Sequence, residues 1–234
     1  MYKNYKILSL IAARAGSKGL KNKNIKKFLG KPLINWSILA SKKSRYIDHT
    51  LVSTDSEKII NISKSLGVNA PFKRPKKLAL DNSKIKDVIF HSLKWIKKKR
   101  YKFDFLILLQ PTSPLRTAEH IDKFIRHYFA ISKKKKETMV SITEAPIKAG
   151  LMMEIKDNYV KFSINQSKNK KDAQRQNLKQ YFLPNGAIYF ANIKKFNGNF
   201  FAKNTLYFKM DQSVSIDIDY IQDFKKGIKY KNNF

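Results

Sequence analysis

The chain has 234 residues, of which 42% are hydrophobic, and it contains no cysteine. This length and apolar content suffice for one α/β domain with a sizeable core, and they exclude an intrinsically disordered chain. The lack of cysteine excludes a disulfide framework and any cysteine-ligated metal, and it favours a reducing compartment. The formal net charge of +32 is the most unusual value.

The positive charge has two explanations. One is a nucleic-acid-binding protein, because a basic surface attracts phosphates. Only seven of the 49 basic residues are arginine, the residue suited to bidentate contacts with bases and phosphates, and the lysines are scattered along the chain. Asparagine, isoleucine, phenylalanine and tyrosine are plentiful too, and all have A/T-rich codons. We therefore favour coding bias and expect no nucleic-acid partner, with nucleic-acid binding kept as the alternative.

Two apolar runs bear on whether the chain enters a membrane. The run from Ile7 to Ala13 is interrupted by Arg14 and is too short for a signal peptide with a cleavage site. The run 105–109 is far shorter than the roughly 20 residues that span a bilayer. We expect a soluble, cytoplasmic protein with no export signal and no membrane association.

Apolar runs alternate with segments of helical periodicity over the first 143 residues. Short continuous apolar runs suit buried parallel strands, and apolar residues repeating every three or four positions suit helices on a sheet. The alternation predicts an α/β fold with a mixed, mostly parallel sheet and helices on both faces. The predicted strands are 7–13, 50–53, 103–109 and 139–142, and the predicted helices are 32–44, about 57–66, 84–99 and 117–131.

The pattern changes after the fourth predicted strand. Segments 151–155 and 159–164 predict a hairpin, and a polar stretch follows it. Apolar strands return at 186–190 and 214–218. The hairpin therefore interrupts the succession of strands and helices instead of continuing it.

This interruption predicts the domain organisation. We expect residues 1–143 and 185–234 to form one domain and residues 144–184 to form a small inserted arm. An arm that leaves its own sheet needs another surface to pack on. A second subunit is the expected one, which makes the protein a homodimer.

A basic, glycine-containing segment follows the first predicted strand. Gly16 and Gly19 let backbone N–H groups approach an anion closely. Arg14, Lys18 and Lys23 add positive charge suited to a polyphosphate. The spacing matches neither the Walker A loop nor the dinucleotide-binding fingerprint. An ordinary turn in a lysine-rich protein remains the alternative.

Two aspartates alternate with isoleucines near the end of the chain. Residues two apart on a strand point the same way, so Asp217 and Asp219 lie side by side while Ile216 and Ile218 enter the core. Neighbouring carboxylates repel, and a hard divalent cation relieves that repulsion. The alternative is a strand edge at which Asp219 caps a helix beginning near Tyr220.

Three polar segments remain. Residues 110–117 follow a buried strand at the end where open α/β sheets bind ligands, and they also suit a rigid turn with Thr117 as a helix cap. Asn185-Gly186 indicates chiefly a turn before a strand. Residues 74–83 contain candidates for a base pocket, although composition alone favours a surface loop there.

Four segments occur in the order seen in one enzyme family. Residues 13–19 (ARAGSKG), 110–116 (QPTSPLR), 184–189 (PNGAIY) and 215–219 (SIDID) resemble the acylneuraminate cytidylyltransferases, or CMP-sialic acid synthetases. The resemblance extends over about residues 7 to 228. It implies a Rossmann-like nucleotide-diphospho-sugar transferase fold with a dimerisation arm. It also implies that CTP and a nonulosonic, sialic-acid-like sugar acid react to give a CMP-sugar and pyrophosphate, with Mg²⁺ as cofactor.

The resemblance also assigns residues to roles by position. It implies catalytic roles for Arg14, Lys23, Asp217 and Asp219, with the two aspartates as the Mg²⁺ ligands. It implies CTP binding by Ala13, Arg14, Gly16, Ser17, Lys18, Asn24, Arg74, Asp81 and Ser83. It implies binding of the sugar acid by Gln110, Thr112, Ser113, Lys148, Arg175, Tyr181, Phe182 and Asn185. In such dimers Lys148 and Arg175 reach the partner's site.

The chain departs from the family pattern at a few positions. Leu183 stands where the family often has arginine, and Gln174 stands where it often has proline. A proline common in the basic loop is also missing around Lys21-Asn22. These departures leave the nucleotide chemistry intact and bear on the acceptor. Legionaminic-acid enzymes share the pattern, so legionaminic or another related acid is the alternative to N-acetylneuraminic acid.

Overall fold

A computed structural model describes residues 1–17, 19–146, 153–156, 159–162 and 180–231. Its strands and helices alternate along the first part of the chain, as the periodicity predicts. The strands are β1 (Ile7–Ala12), β2 (Lys27–Phe28), β3 (Lys31–Pro32), β4 (His49–Ser53), β5 (Phe105–Leu109), β6 (Met139–Glu144), β7 (Met153–Lys156), β8 (Tyr159–Phe162), β9 (Phe182–Asn192) and β10 (Leu206–Lys209). The helices are α1 (Leu33–Lys43), α2 (Glu57–Ser65), α3 (Ile85–Lys98), α4 (Ala118–Ile131) and α5 (Ile221–Lys231).

The central sheet has six strands in the order β10-β6-β9-β5-β1-β4. Strands β4, β1 and β5 are parallel to one another, β10 is parallel to β6, and β9 is antiparallel to both of its neighbours. The prediction of a mixed, mostly parallel sheet is therefore confirmed. Because β1 and β5 are adjacent and parallel, the loops that follow them leave the same edge of the sheet.

Helices cover both faces of this sheet, as predicted. Alternate residues of β1 supply the two faces: Ile7 and Ile11 join a buried cluster with α1, α2 and α4, whereas Leu8 and Leu10 join one with α3. A third cluster joins Phe28 of β2 to Phe224 of α5 and to Ile218. This third cluster fixes the end of the chain near the loop after β1.

The boundaries of several elements differ from the predicted ones. The predicted strand at 214–218 is wrong: Gln212–Val214 form a 3₁₀ turn and residues 215–219 are irregular. Asn185-Gly186 does not form a turn that precedes a strand. Both residues lie inside β9, which begins at Phe182, at the point where its pairing register with β6 shifts. Strand β10 was not predicted, since half of its residues are exposed at an edge.

The hairpin predicted after the fourth strand is present as β7 and β8, which pair antiparallel. The main sheet extends to Glu144, which pairs with Phe182 on β9. The role of residues 144–184 as a dimerisation arm stays a prediction, and most of that stretch lies outside the described residues. No helix within the described ranges combines the length and apolar character needed to cross a bilayer.

Candidate active site

A cleft of about 440 Å³ opens at the sheet edge where β1 and β5 end. The loop after β1 forms one side of it, residues 74–88 form a second, and the loop after β5 forms a third. Asp219 and Tyr220, from the end of the chain, close it. Of the residues predicted for catalysis or binding, those that line the cleft are Arg14, Gly16, Ser17, Lys23, Asn24, Arg74, Asp81, Ser83, Gln110, Thr112 and Asp219.

Hydrogen bonds hold the loop after β1 in place. The backbone N–H of Ala15 donates to Oδ1 of Asp55, which follows β4, over 2.8 Å. The side-chain amide of Asn24 donates to the carbonyl of Arg14 over 2.9 Å. Asn24 is buried and its Oδ1 has no partner among the described residues. The first hydrogen bond fixes the loop to the segment after β4, and the second connects the beginning of the loop to its end.

Two cations of this loop reach carboxylates from distant parts of the chain. Arg14 Nη1 lies 2.5 Å from Asp81 Oδ1, and Lys23 Nζ lies 2.7 Å from Asp219 Oδ1. The Lys23 side chain is 11% exposed, whereas that of Asp219 is 60% exposed. The basic loop and the aspartate segment, nearly 200 residues apart in sequence, thus meet across one cleft.

The aspartate segment is held by burial of its isoleucines. Ile216 and Ile218 belong to the third buried cluster, while Asp217 and Asp219 are exposed residues. The backbone N–H of Ile218 donates to the carbonyl of Thr112 over 2.8 Å. The predicted alternation of buried and exposed residues therefore holds although no strand is formed, and the hydrogen bond of Ile218 ties the segment to the loop after β5.

Gly186 lies directly against the carboxylate of Asp217. Its φ angle is +72°, and a Cβ at this position would lie 2.9 Å from Asp217 Oδ2. The neighbouring Asn185 accepts a hydrogen bond from Ser141 Oγ over 2.6 Å and donates one to Ser215 Oγ over 2.9 Å. The Asn-Gly pair therefore supports the aspartate segment, a role that a turn signal alone does not reveal.

The surroundings of Asp217 shift the pKa of its carboxyl group. Asp217 is exposed as a residue, but protein atoms around its carboxylate remove part of the hydration of the charged form, which raises its pKa above the ordinary value, and the charge of Asp219 raises it further. A hydrogen bond from the Thr112 side chain and the charge of Lys23 act in the opposite direction. The charge of Asp223 also raises the pKa of Asp217, and its Oδ2 accepts the backbone N–H groups of Asp219 at 3.1 Å and Tyr220 at 2.8 Å.

The second side of the cleft depends on Arg74. This buried side chain donates from Nε to Ser53 Oγ over 3.1 Å and from Nη2 to the Ser53 carbonyl, so it ties the loop to the end of β4. Burial lowers the pKa of Arg74 to about 10, with nearby Asp55 raising it and Arg14 lowering it. Ser83 donates its hydroxyl to the Lys77 carbonyl over 3.0 Å, which closes the loop on itself.

The remaining predicted residues lie elsewhere. Ala13, Ser113 and Asn185 are buried and do not line the cleft. Asp217 does not line the cleft either, but it forms a hydrogen bond with the side chain of Thr112, and Thr112 does line the cleft. Tyr181 precedes β9, and Phe182 begins it. Lys18, Lys148, Arg175 and the departure at Gln174 lie outside the described residues.

Comparisons with known proteins agree with this geometry. The fold and the cleft are those of an α/β nucleotidyltransferase. The chain belongs to the cytidylyltransferase family, whose sequence pattern matches residues 8–234. This membership favours the enzyme over the nucleic-acid-binding alternative.

Individual relatives are consistent with the family assignment. The chain is 34% identical over 227 residues to the N-acylneuraminate cytidylyltransferase of Escherichia coli O18:K1:H7, covering 95% of this chain and 51% of that protein. It is 34% identical over 220 residues to the CMP-N,N'-diacetyllegionaminic acid synthase of Legionella pneumophila, covering 92% of this chain and 91% of that one. It thus spans about half of the first relative and most of the second.

A solved structure shares the fold. The CMP:2-keto-3-deoxy-manno-octonic acid synthetase complexed with CTP superposes with a TM-score of 0.71, covering 97% of this chain and 99% of that one. Its sequence is 14% identical to this chain. This likeness confirms the predicted Rossmann-like fold.

Proposed function

We propose that the protein transfers CMP from CTP to a nonulosonic acid of the sialic-acid type and releases pyrophosphate. The observation that supports this most strongly is the contact of Lys23 with Asp219 across the cleft, because it places the basic loop and one aspartate of the pair where both would meet one triphosphate. The family membership and the names of the two relatives agree with it.

The donor set fits a divalent metal such as Mg²⁺. Asp217 and Asp219 supply hard carboxylate oxygens, and their mutual repulsion is the condition that a cation relieves. Asp217 and Asp219 would hold the ion, and no cluster of three or more acidic, histidine or cysteine ligands occurs among the described residues. When bound there, Mg²⁺ supplies charge neutralisation and Lewis acidity.

The chain's own residues then carry the reaction as follows. Arg14 and Lys23 leave their carboxylate partners and neutralise the charge on the phosphates. The anomeric hydroxyl of the sugar acid attacks the α-phosphorus in line, an O–P bond forms, and the bond to the β-phosphate oxygen breaks. The hydroxyl proton passes to solvent and pyrophosphate leaves. Positioning and electrostatics suffice, so no covalent enzyme intermediate is needed.

The acceptor side of the cleft is formed by the loop after β5. Gln110 and Thr112 lie at its wall, and we assign them to the sugar acid. Lys148 and Arg175 would bind the carboxylate of the acid as hydrogen-bonding cations, each from the arm of a homodimer partner. The acceptor is N-acetylneuraminic acid or a related acid such as legionaminic acid. We place the reaction in the cytoplasm, in keeping with the lack of cysteine.

A panel assay tests this proposal. Purified protein is given Mg²⁺ and CTP with each of N-acetylneuraminic, legionaminic, pseudaminic and deoxy-octulosonic acid, and pyrophosphate release is followed. We expect release with one of the first two acids, little with ATP, GTP or UTP, and none after chelation of the metal. Release that is independent of any acid, or equal with all four nucleotides, contradicts the proposal.

A further inference from the structure

Arg116 is the largest fully buried side chain among the described residues, with 1% of its surface exposed. It lies in the loop after β5, directly before the helix cap Thr117. Burial lowers its pKa to about 9, which still leaves the guanidinium charged at neutral pH. No carboxylate forms an ion pair with it within the described part of the chain. A buried charge without a counter-ion is costly, so its presence needs a reason beyond filling space.

The hydrogen bonds of the guanidinium supply that reason. Nη1 donates to the carbonyl of Gln110 at 3.1 Å and to the carbonyl of Ala187 on β9 at 2.9 Å. Nη2 donates to Ser37 Oγ on α1 at 2.6 Å, and this hydroxyl in turn donates to the Gln110 carbonyl at 3.1 Å. The planar fork thus links three segments at once, which no neutral side chain of similar size can do.

The linked segments are those that form the cleft. Gln110 lies at the cleft wall, and its side chain lies within 3.5 Å of the hydroxyl of Tyr189 on β9. Ala187 follows Gly186, which abuts the carboxylate of Asp217. The ladder between β5 and β9 ends at the pair Leu109 and Ile188, and Arg116 extends the link by one residue on each strand, to Gln110 and Ala187, without reaching the cleft itself.

We propose that Arg116 is a positioning residue that fixes Gln110 relative to β9 and thereby shapes the acceptor side of the cleft. This inference rests on the proposed function, in which Gln110 faces the sugar acid. The Nε donor of Arg116 has no partner among the described residues. The hydrogen bonds of Arg116 are therefore made by its two terminal nitrogens, which join the segments, while one donor stays unsatisfied.

Two variants and one control test the inference. Arg116→Met keeps the volume and removes the fork, Arg116→Lys keeps the charge and removes the fork, and Arg126→Met makes the same exchange at an exposed arginine of α4. We expect Arg116→Met to raise the acceptor KM about tenfold or more, and Arg116→Lys to raise it severalfold. The dissociation constant for CTP should change less than about threefold in both, and Arg126→Met should match the wild type.

A merely structural role gives a different result. It lowers the concentration of active protein, so the apparent kcat falls while the acceptor KM stays constant. That outcome overturns the inference, as does an equal loss of acceptor and CTP binding. If Arg116→Met fails to fold, Arg116→Lys decides: an acceptor KM within twofold of the wild type contradicts the proposal.

A second measurement separates this inference from the proposed function. Hydrogen exchange of the peptides that contain residues 105–117 and 182–192 needs no activity. We expect faster exchange in both segments of each Arg116 variant and around Ser37 of α1, with the rest of the protein unchanged. If the wild type transfers no CMP to any acid, the proposed function fails, and the exchange result still decides whether Arg116 joins the two segments. Unchanged exchange there overturns the inference.

Discussion

Replacing Gly186 by alanine tests the contact between β9 and the aspartate segment. Its φ of +72° costs an L-residue about 1–2 kcal/mol. The new methyl group would lie 2.9 Å from Asp217 Oδ2, whereas an ordinary contact is about 3.5 Å, so the carboxylate must move by roughly 0.5–1 Å. A displacement of this size at a reacting centre costs up to about a hundredfold in rate. We therefore expect kcat to fall about 10- to 100-fold in Gly186→Ala.

Gly30→Ala is the matched control for this substitution. Gly30 has a similar φ of +79°, and nothing lies within 4 Å of the position that its Cβ would take. Both variants should lose about 2–8 °C in melting temperature from backbone strain. Only Gly186→Ala should lose turnover, as measured by pyrophosphate release. Equal kcat values in the two variants would show that the contact with Asp217 does not matter for catalysis.

Two further substitutions separate catalysis from folding. Asp217→Asn should lower kcat about a hundredfold or more, as expected for loss of a key electrostatic group. Because the pKa of Asp217 is raised in the folded protein, its contribution to stability should decline as pH rises from about 3.9 through that raised pKa. Melting across pH should show this decline in the wild type relative to Asp217→Asn, and identical profiles would contradict the assigned shift. Lys23→Met should tighten Mn²⁺ binding by the nucleotide-free protein about two- to fivefold, because Asp219 loses its competing cation. The same variant should bind CTP about tenfold more weakly, whereas Lys21→Met should change neither the Mn²⁺ affinity nor the CTP affinity. If Lys23→Met weakens the binding of both Mn²⁺ and CTP, Lys23 does not exchange Asp219 for the phosphates.

Hydrophobic periodicity was sufficient to predict most of the sheet. Strands β1 and β5 are almost entirely apolar because both of their faces are covered, and such runs are distinct from helical periodicity. The segment 214–218 has the same apolar character, yet its backbone makes a contact with the loop at Thr112 instead of a ladder. The amino-acid composition of a segment does not show whether its backbone will pair in a strand ladder or bond to a loop.

The candidate site was predictable where charge and spacing carry the information. Arg14 stands out because it follows an apolar run, Lys23 because it lies in the same basic segment, and Asp219 because it forms a pair with Asp217 in a chain with few acidic residues. The supporting contacts of Gly186 and Arg116 were not predictable, since they depend on which distant segments meet. A positive φ at a glycine and a buried arginine are visible only in three dimensions.

The central claim is that one metal-bound triphosphate lies between the basic loop and the aspartate pair. Crystals grown with CTP and Mn²⁺ allow the metal to be located directly by its anomalous scattering. The account predicts one or more anomalous peaks between the carboxylates of Asp217 and Asp219 and the phosphate oxygens, with Arg14 and Lys23 on the same phosphates. A metal bound elsewhere, or a triphosphate that touches neither the loop nor the aspartates, would contradict it.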